Sequence, residues 1–169
     1  MAVKTVSSTL RCDILILGGG SAGAAAAWAA SAPGISVVLA EKTGRLGGTA
    51  TNGLVSTLCG CYSSLGDRRK ISGGARDTLA AELKILGGLD EGVNRETHRS
   101  DICDPELLAC ALDRMVLRTG TDLHLSTLVT GASFDGERLH SVETVNTESG
   151  SRTVILPKIA VDAAGKALL

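Results

Sequence analysis

The spacing of apolar positions along this chain changes several times, and each change marks an element. Ile14 to Leu17 are four branched aliphatics in a row behind Asp13, the pattern of a short strand buried on both faces. An alanine-rich run from Ala22 to Ala32 predicts a helix, Pro33-Gly34 stops it, and Ile35 to Ala40 predicts a second buried strand. Ala75 to Leu86 places Leu79, Leu83 and Leu86 on one helical stripe, closed by Gly87-Gly88. Leu89 to Asp101 is polar and reads as loop. Asp104 is then an N-cap, with Pro105 at the first helical position and a buried face of Leu107, Leu108, Ala111, Leu112, Met115 and Val116. Thr119-Gly120 ends that helix, and Asp122 to Leu125 predicts a third short strand.

From Leu128 onward the period becomes that of strands. Leu128 to Phe134, Arg138 to Thr147 and Ser151 to Leu156 are separated by Asp135-Gly136 and Ser149-Gly150 turns, which join antiparallel neighbours. Pro157 to Ala163 reads as one more buried strand. The predicted class is α/β: a small parallel sheet with helices on its faces and an antiparallel three-stranded meander. Residues 1–12 are expected to be a polar leader, and 13–169 a single domain.

The junction between the first strand and the first helix carries candidate chemistry. Gly18-x-Gly20-x-x-Gly23 follows the strand at once, and Glu41 closes the second strand 23 positions after Gly18. In a dinucleotide-binding turn, Gly18 allows the tight turn, Gly20 lets backbone approach a pyrophosphate, and Gly23 lets helix and strand pack closely. The helix N-terminus offers N–H groups and partial positive charge to the phosphates. Glu41 stands where a carboxylate accepts ribose hydroxyls, which favours NAD or FAD over a 2′-phosphorylated nucleotide. These features together predict a Rossmann-like FAD/NAD(P)-binding domain. Next comes KTGRLGGTATNGLVS, a second glycine-rich loop in which Gly47 and Gly48 permit close backbone approach to a phosphorylated ligand.

Composition narrows the partners. Seventeen basic and eighteen acidic residues leave a net charge of −1, giving no electrostatic case for nucleic acid or an anionic membrane. One Phe, one Tyr and one Trp supply no stacking platform for single strands. No apolar run approaches the ~18 residues of a membrane span, and the N-terminus lacks a secretion signal. Five cysteines without an export signal read as reduced thiols, with a cytoplasmic location. Cys59-Gly60-Cys61 would make only a strained disulfide, and two thiolates fall short of a zinc site, so these are expected to be packing or incidental thiols. No metal is expected. His98, His124 and His140 and the acids show no spacing that assigns a catalytic acid or base.

Taken together, these motifs resemble the FAD-dependent oxidoreductases with a glutathione-reductase-like FAD domain, on the branch related to the fumarate reductase and succinate dehydrogenase flavoproteins. The resemblance runs from about Asp13 to Gly165. It rests on the Gly18–Gly23 turn, Glu41-Lys42, Gly47-Gly48-Thr49-Ala50-Thr51-x-Gly53, the Asp104-Pro105-Glu106-Leu107-Leu108 helix start and Asp162-Ala163-Ala164-Gly165. It implies FAD as cofactor, with Ser21 and Ala22 facing the pyrophosphate and Glu41 and Lys42 the adenosine ribose. Gly48, Thr49 and Ala50 would face the ribityl and flavin side, Val129 would meet the adenine through its backbone, and Ala163 and Gly165 would line the pyrophosphate again.

The same resemblance implies hydride transfer through non-covalent FAD with an unassigned small-molecule substrate. Ala50 and Val55 stand where related disulfide reductases carry cysteines, so no dithiol beside the flavin is implied at those positions. Ala164 replaces the threonine of the family's D-A-T-G strand end, and Lys166 stands where an acid or small residue is common. Family members continue beyond the equivalent of Leu169, so the chain is expected to be the N-terminal part of such an enzyme, truncated in its FAD domain. Self-association or a partner chain would then supply the missing half. The alternatives are a non-catalytic nucleotide-binding fragment or subunit that needs a partner, and an NAD-dependent dehydrogenase domain.

Overall fold

Strand β1 (Ser7–Leu17) lies at the centre of the fold. The computed structural model describes residues 7–64, 66–94, 99–166 and 168–169. Ile14 and Leu15 start the strand's apolar run, and Leu15, Ile16 and Leu17 are wholly buried. On one side β1 pairs in parallel with β2 (Val37–Ala40), matching Ile14 to Val37 and Leu17 to Ala40. Between them runs α1 (Ser21–Ala30), the crossover that a parallel pair requires. Its alanines keep the helix close, so Ala24 and Ala27 are buried against the sheet.

After β2 come α2 (Thr49–Asn52), β3 (Thr57–Leu58) and α3 (Ala75–Leu86). The helix α3 ends where the sequence predicts, with Gly87 left-handed at φ 73°. Then follow β4 (Leu89–Asn94), β5 (Arg99–Cys103), α4 (Pro105–Leu117) and β6 (Asp122–His124). Asp104 caps α4 by accepting from the Glu106 and Leu107 N–H groups at 2.8 and 3.0 Å. Leu108, Ala111, Leu112, Met115 and Val116 of α4 meet Ile16, Val37 and Leu39, so α1 and α4 cover the same face of the sheet.

The chain finishes with β7 (Thr127–Asp135), β8 (Arg138–Asn146) and β9 (Arg152–Asp162). All but the β3-β5-β4 group form one six-stranded sheet in the order β6-β2-β1-β9-β8-β7. Pairings among β6, β2, β1 and β9 are parallel, and β7–β8 and β8–β9 are antiparallel. The predicted meander is therefore the antiparallel wing of the parallel sheet. Its Val142 and Ile155 form a second buried cluster with Leu15, Leu17, Val38 and Ala40.

Four sequence expectations need correction. Residues 7–12, expected in the leader, belong to β1, because Ser7 to Cys12 pair residue by residue with Arg152 to Pro157. Of the predicted loop 89–101, residues 89–94 and 99–101 belong to two antiparallel strands, with a shift of register between Asp90 and Val93, and 95–98 lie outside the described residues. The buried Asp101 finds partners inside and outside the segment: it accepts from the Gly92 N–H at 2.9 Å and the Tyr62 hydroxyl at 2.7 Å, and pairs with Arg76. Ser151–Leu156 and Pro157–Ala163 are one strand, not two. Pro157 is tolerated because β8 pairs only as far as Ile155, leaving one edge of β9 without a ladder. For the same reason the outer half of β9 is not buried, and Ile159 is 60% exposed.

Candidate functional site

Two glycine-rich loops meet at the C-terminal ends of β1 and β2. Gly18 turns at φ 97°, and a Cβ there would lie 2.7 Å from the Ala163 carbonyl oxygen, so the turn packs directly on the end of β9. A Cβ on Gly23 would sit 1.8 Å from the Gly18 carbonyl oxygen, which leaves no room for any side chain between α1 and β1. Gly20 behaves differently: nothing lies within 4 Å of the Cβ position, which faces open space. It starts α1 without a side-chain cap, and the first turn holds no acid, so the positive end of the helix is left for an anion.

The second loop lies over the first. The Gly47 N–H donates to the Gly19 carbonyl at 2.8 Å, and a Cβ on Gly48 would come within 3.1 Å of the Gly20 Cα. The buried Thr51 fixes this loop by donating its hydroxyl to the Leu46 carbonyl at 2.6 Å. Arg45 ties the loop to α4 through two bonds to the Glu106 carboxylate at 2.8 and 2.6 Å. That partnership holds the Glu106 carboxyl below the usual carboxylate range.

Glu41 is buried between the two loops. One carboxylate oxygen, Oε2, accepts from the Gly19 N–H at 2.6 Å, and Oε1 accepts from the Thr43 N–H and hydroxyl, each at 2.8 Å. A carboxylate has about four acceptor sites, so roughly one remains for a ligand. At the end of β9, Asp162 accepts from the Ala164 N–H at 3.0 Å and the Leu169 N–H at 3.1 Å. These bonds hold its carboxyl below the ordinary range and fix the Ala163–Gly165 turn beside Gly18.

The arrangement encloses a cleft of about 640 Å³. Twelve of the fourteen candidate site residues line it: Gly18, Gly20, Ser21 and Ala22 from the first turn, Glu41 and Lys42, Gly47 to Ala50 from the second loop, and Ala163 and Gly165 from β9. Gly23 lies behind the wall. Val129 lines a neighbouring cavity of about 270 Å³ that shares Gly18, Glu41, Lys42 and Ala164 with the cleft. Thr43, Asn52 and Gly53 of the same glycine-rich segment also line the cleft, Lys166 lines the smaller cavity, and sequence reasoning missed Thr127, Leu128 and Leu168 there. It also missed Gly19, the only donor on the first turn that meets Glu41. Each contributes through where the loops fold, which no spacing rule expresses.

A third cavity, of about 400 Å³, opens beyond Ser21, Thr49 and Ala50. Its wall is apolar, formed by Leu79 of α3, Leu108, Leu112 and Met115 of α4, and Val55 and Leu58. Arg76, in the first turn of α3, also lines it, its guanidinium held by Asp101 and, at 2.8 Å, by Glu91 of the small sheet. Another cavity, about 500 Å³, lies beside the middle of β1, at Arg11 to Asp13, with Asp13 and Lys158 paired at 2.6 Å.

His124 is half-buried on β6 and stands 3.1 Å from Asp122, and His140 is exposed on β8; neither lines the cleft. His98 lies outside the described residues. Among the described residues no group of three or more His, Cys, Asp or Glu is placed to hold a metal ion. Among them too, no helix is long and apolar enough to cross a membrane.

The family model for FAD dependent oxidoreductases matches residues 13–169, from the buried half of β1 through the turn that closes the cleft. This chain belongs to that family. A curated relative, the 4-oxocyclohex-2-ene-1-carboxylate 5-dehydrogenase of Sinomonas cyclohexanicum, is 49% identical over 43 residues, which cover 25% of this chain and 7% of the relative. Among solved structures, an adenosine-5-phosphosulfate reductase superposes with a TM-score of 0.62 at 17% identity, over 95% of this chain and 31% of that one. A flavocytochrome c3 fumarate reductase in an open conformation gives 0.59 at 19% identity, over 90% and 33%. At those identities the likeness is one of fold. The chain spans about a third of the length of these structural relatives and a much smaller part of the curated one.

Proposed function

We propose that these residues are the FAD-binding part of a flavin-dependent oxidoreductase, with FAD held non-covalently. The observation that carries this reading is the cradle between the two loops: Gly20 and Gly48 leave space that a Cβ would fill, at an uncapped helix N-terminus. A diphosphate fits such a cradle because backbone can approach it and the helix end favours its charge. Ser21 and Ala22 offer their N–H groups to it, with Ala163 and Gly165 on its other flank. Lys42 and the remaining acceptor of Glu41 take the ribose, and the smaller cavity, with Thr127, Leu128 and Val129, takes the adenine.

Gly48, Thr49 and Ala50 lead away from the diphosphate toward the apolar cavity. That cavity suits a flat, largely apolar ring, with Leu108, Leu112 and Met115 excluding water from one side. When bound, the flavin supplies the redox chemistry, accepting a hydride from a small-molecule substrate and passing electrons on. The protein's share is to bind, orient and desolvate.

Turnover is proposed for this span together with polypeptide outside it, since the solved relatives are about three times as long as the region they share. The test is reconstitution. Protein titrated with FAD should change the flavin absorbance saturably, and acid precipitation of the complex should release all of the flavin to the supernatant. Colour left in the pellet contradicts non-covalent binding, and an FAD spectrum unchanged by excess protein contradicts the cofactor assignment.

A further inference from the structure

Cys59-Gly60-Cys61 has no part in the cofactor reading, yet both cysteines stand in the wall of the apolar cavity, alongside Ala50 and Val55. They differ in access: Cys59 is exposed and Cys61 buried. Gly60 between them adopts φ 79°, with nothing within 4 Å of its Cβ position, and the chain bends back there. The Cys61 thiol is directed back over its neighbour, its Sγ lying 4.0 Å from the Cys59 carbonyl oxygen. Residues two apart are separated by at most ~7 Å between Cα atoms when fully extended. The bend at Gly60 shortens that span toward the ~4.4–6.8 Å over which disulfides form. A bridge closed over so short a loop is strained, and strained bridges are the easily reduced ones.

The remaining cysteines lack this arrangement. Cys12 and Cys103 are buried, and burial pushes both thiols up, Cys12 to about 11. Cys110 is exposed on α4.

We propose that Cys59 and Cys61 form a dithiol–disulfide couple in the wall of the apolar cavity, exchanging with small thiols and disulfides of the glutathione class. Cys59, the exposed partner, attacks one sulfur of an external disulfide as its thiolate. The external S–S bond breaks, one thiolate leaves, and a mixed disulfide remains on Cys59. Cys61 then displaces the second external thiolate and closes the Cys59–Cys61 bond. Two protein thiols are oxidised, one external disulfide is reduced to two thiols, and the two protons lost by the protein end on those thiols. No flavin is needed for this exchange, so it stands or falls apart from the cofactor reading.

The test uses the full chain, reduced and then equilibrated without oxygen across ratios of glutathione to glutathione disulfide. Acid quenching, alkylation and tryptic mass spectrometry follow. Residues 46–68 form one tryptic peptide that holds both cysteines and no other. That peptide should lose two hydrogens in a single transition governed by the square of the thiol concentration over the disulfide concentration. Cys61→Ser should leave a lasting glutathione adduct on Cys59, and Cys59→Ser should leave Cys61 unmodified. Stable glutathione adducts in the unaltered chain, on one or both cysteines, would overturn the proposal. So would a peptide unchanged in excess glutathione disulfide.

Discussion

Glu41 Oε2 accepts the Gly19 N–H at 2.6 Å, so the acid at the end of β2 holds the glycine turn at the end of β1. Its other oxygen holds Thr43 on the second loop. One buried carboxylate thus fixes the relative position of both walls of the cleft.

Glu41→Ala should therefore act on stability and on binding together. It leaves buried N–H groups without an acceptor, at a cost of ~1–3 kcal/mol. Glu41→Gln should cost a similar amount, because its amide presents a donor where donors already converge. Urea unfolding and ADP titration of both variants check this. Parental stability and affinity in Glu41→Ala would mean that the carboxylate holds neither loop nor ligand.

The glycines of the first turn should separate into two kinds. Gly23→Ala places a methyl 1.8 Å from the Gly18 carbonyl oxygen and should destabilise the chain by ~1–3 kcal/mol or more. Gly20→Ala meets nothing within 4 Å and should cost at most ~1 kcal/mol, the difference between the two as helix N-caps. Gly20→Val should still fold yet lose nucleotide binding. Thermal melts beside ADP titrations distinguish these outcomes, and equal melting losses for Gly20→Ala and Gly23→Ala would contradict the packing described.

Tyr62 gives a pH prediction with a clean probe, since the chain has one tyrosine. Burial and its hydrogen bond to Asp101 push its hydroxyl up to about 12. The unfolded value is ~10. The folded state therefore keeps its proton longer than the unfolded state does. The stabilisation is complete below pH ~10 and is lost as pH rises through about 12. Phenolate absorbance should titrate near pH 12 in native protein and near 10 in urea. A native midpoint at 10 would contradict the buried network of Tyr62, Asp101 and Arg76.

Much of this architecture is legible in sequence, where local physics decides it. The α4 start follows from Asp104 and Pro105, and the α3 end from Gly87, because caps are local. The Gly18–Gly23 turn and Glu41 are legible because their spacing reports a shared site. What escapes is settled by residues far apart. Ser7 to Thr9 are too polar to announce a strand, and they form one only through pairing with Arg152 to Val154. Asp101 makes its segment look like loop, and its partners Tyr62 and Arg76 stand 39 and 25 positions away. Pro157 splits β9 in sequence but not in space, since only the edge abandoned by β8 is affected. The same distance explains Glu41: its position is readable, but not that it holds Gly19.

In the proposed reading the cleft holds an adenosine diphosphate, with the flavin ring at its apolar end. Calorimetric titration of the purified chain with FAD, ADP and FMN tests it most directly. Gly20 and Glu41 are proposed to act on the ADP portion, so ADP should bind with a roughly micromolar dissociation constant (~−8 kcal/mol), and FAD, whose ring adds the contacts of the apolar cavity, at least as tightly. FMN, which lacks the adenosine, should bind at least tenfold more weakly, and Gly20→Val should abolish the FAD and ADP signals together. FMN binding as tightly as FAD, with ADP inert, would contradict the account.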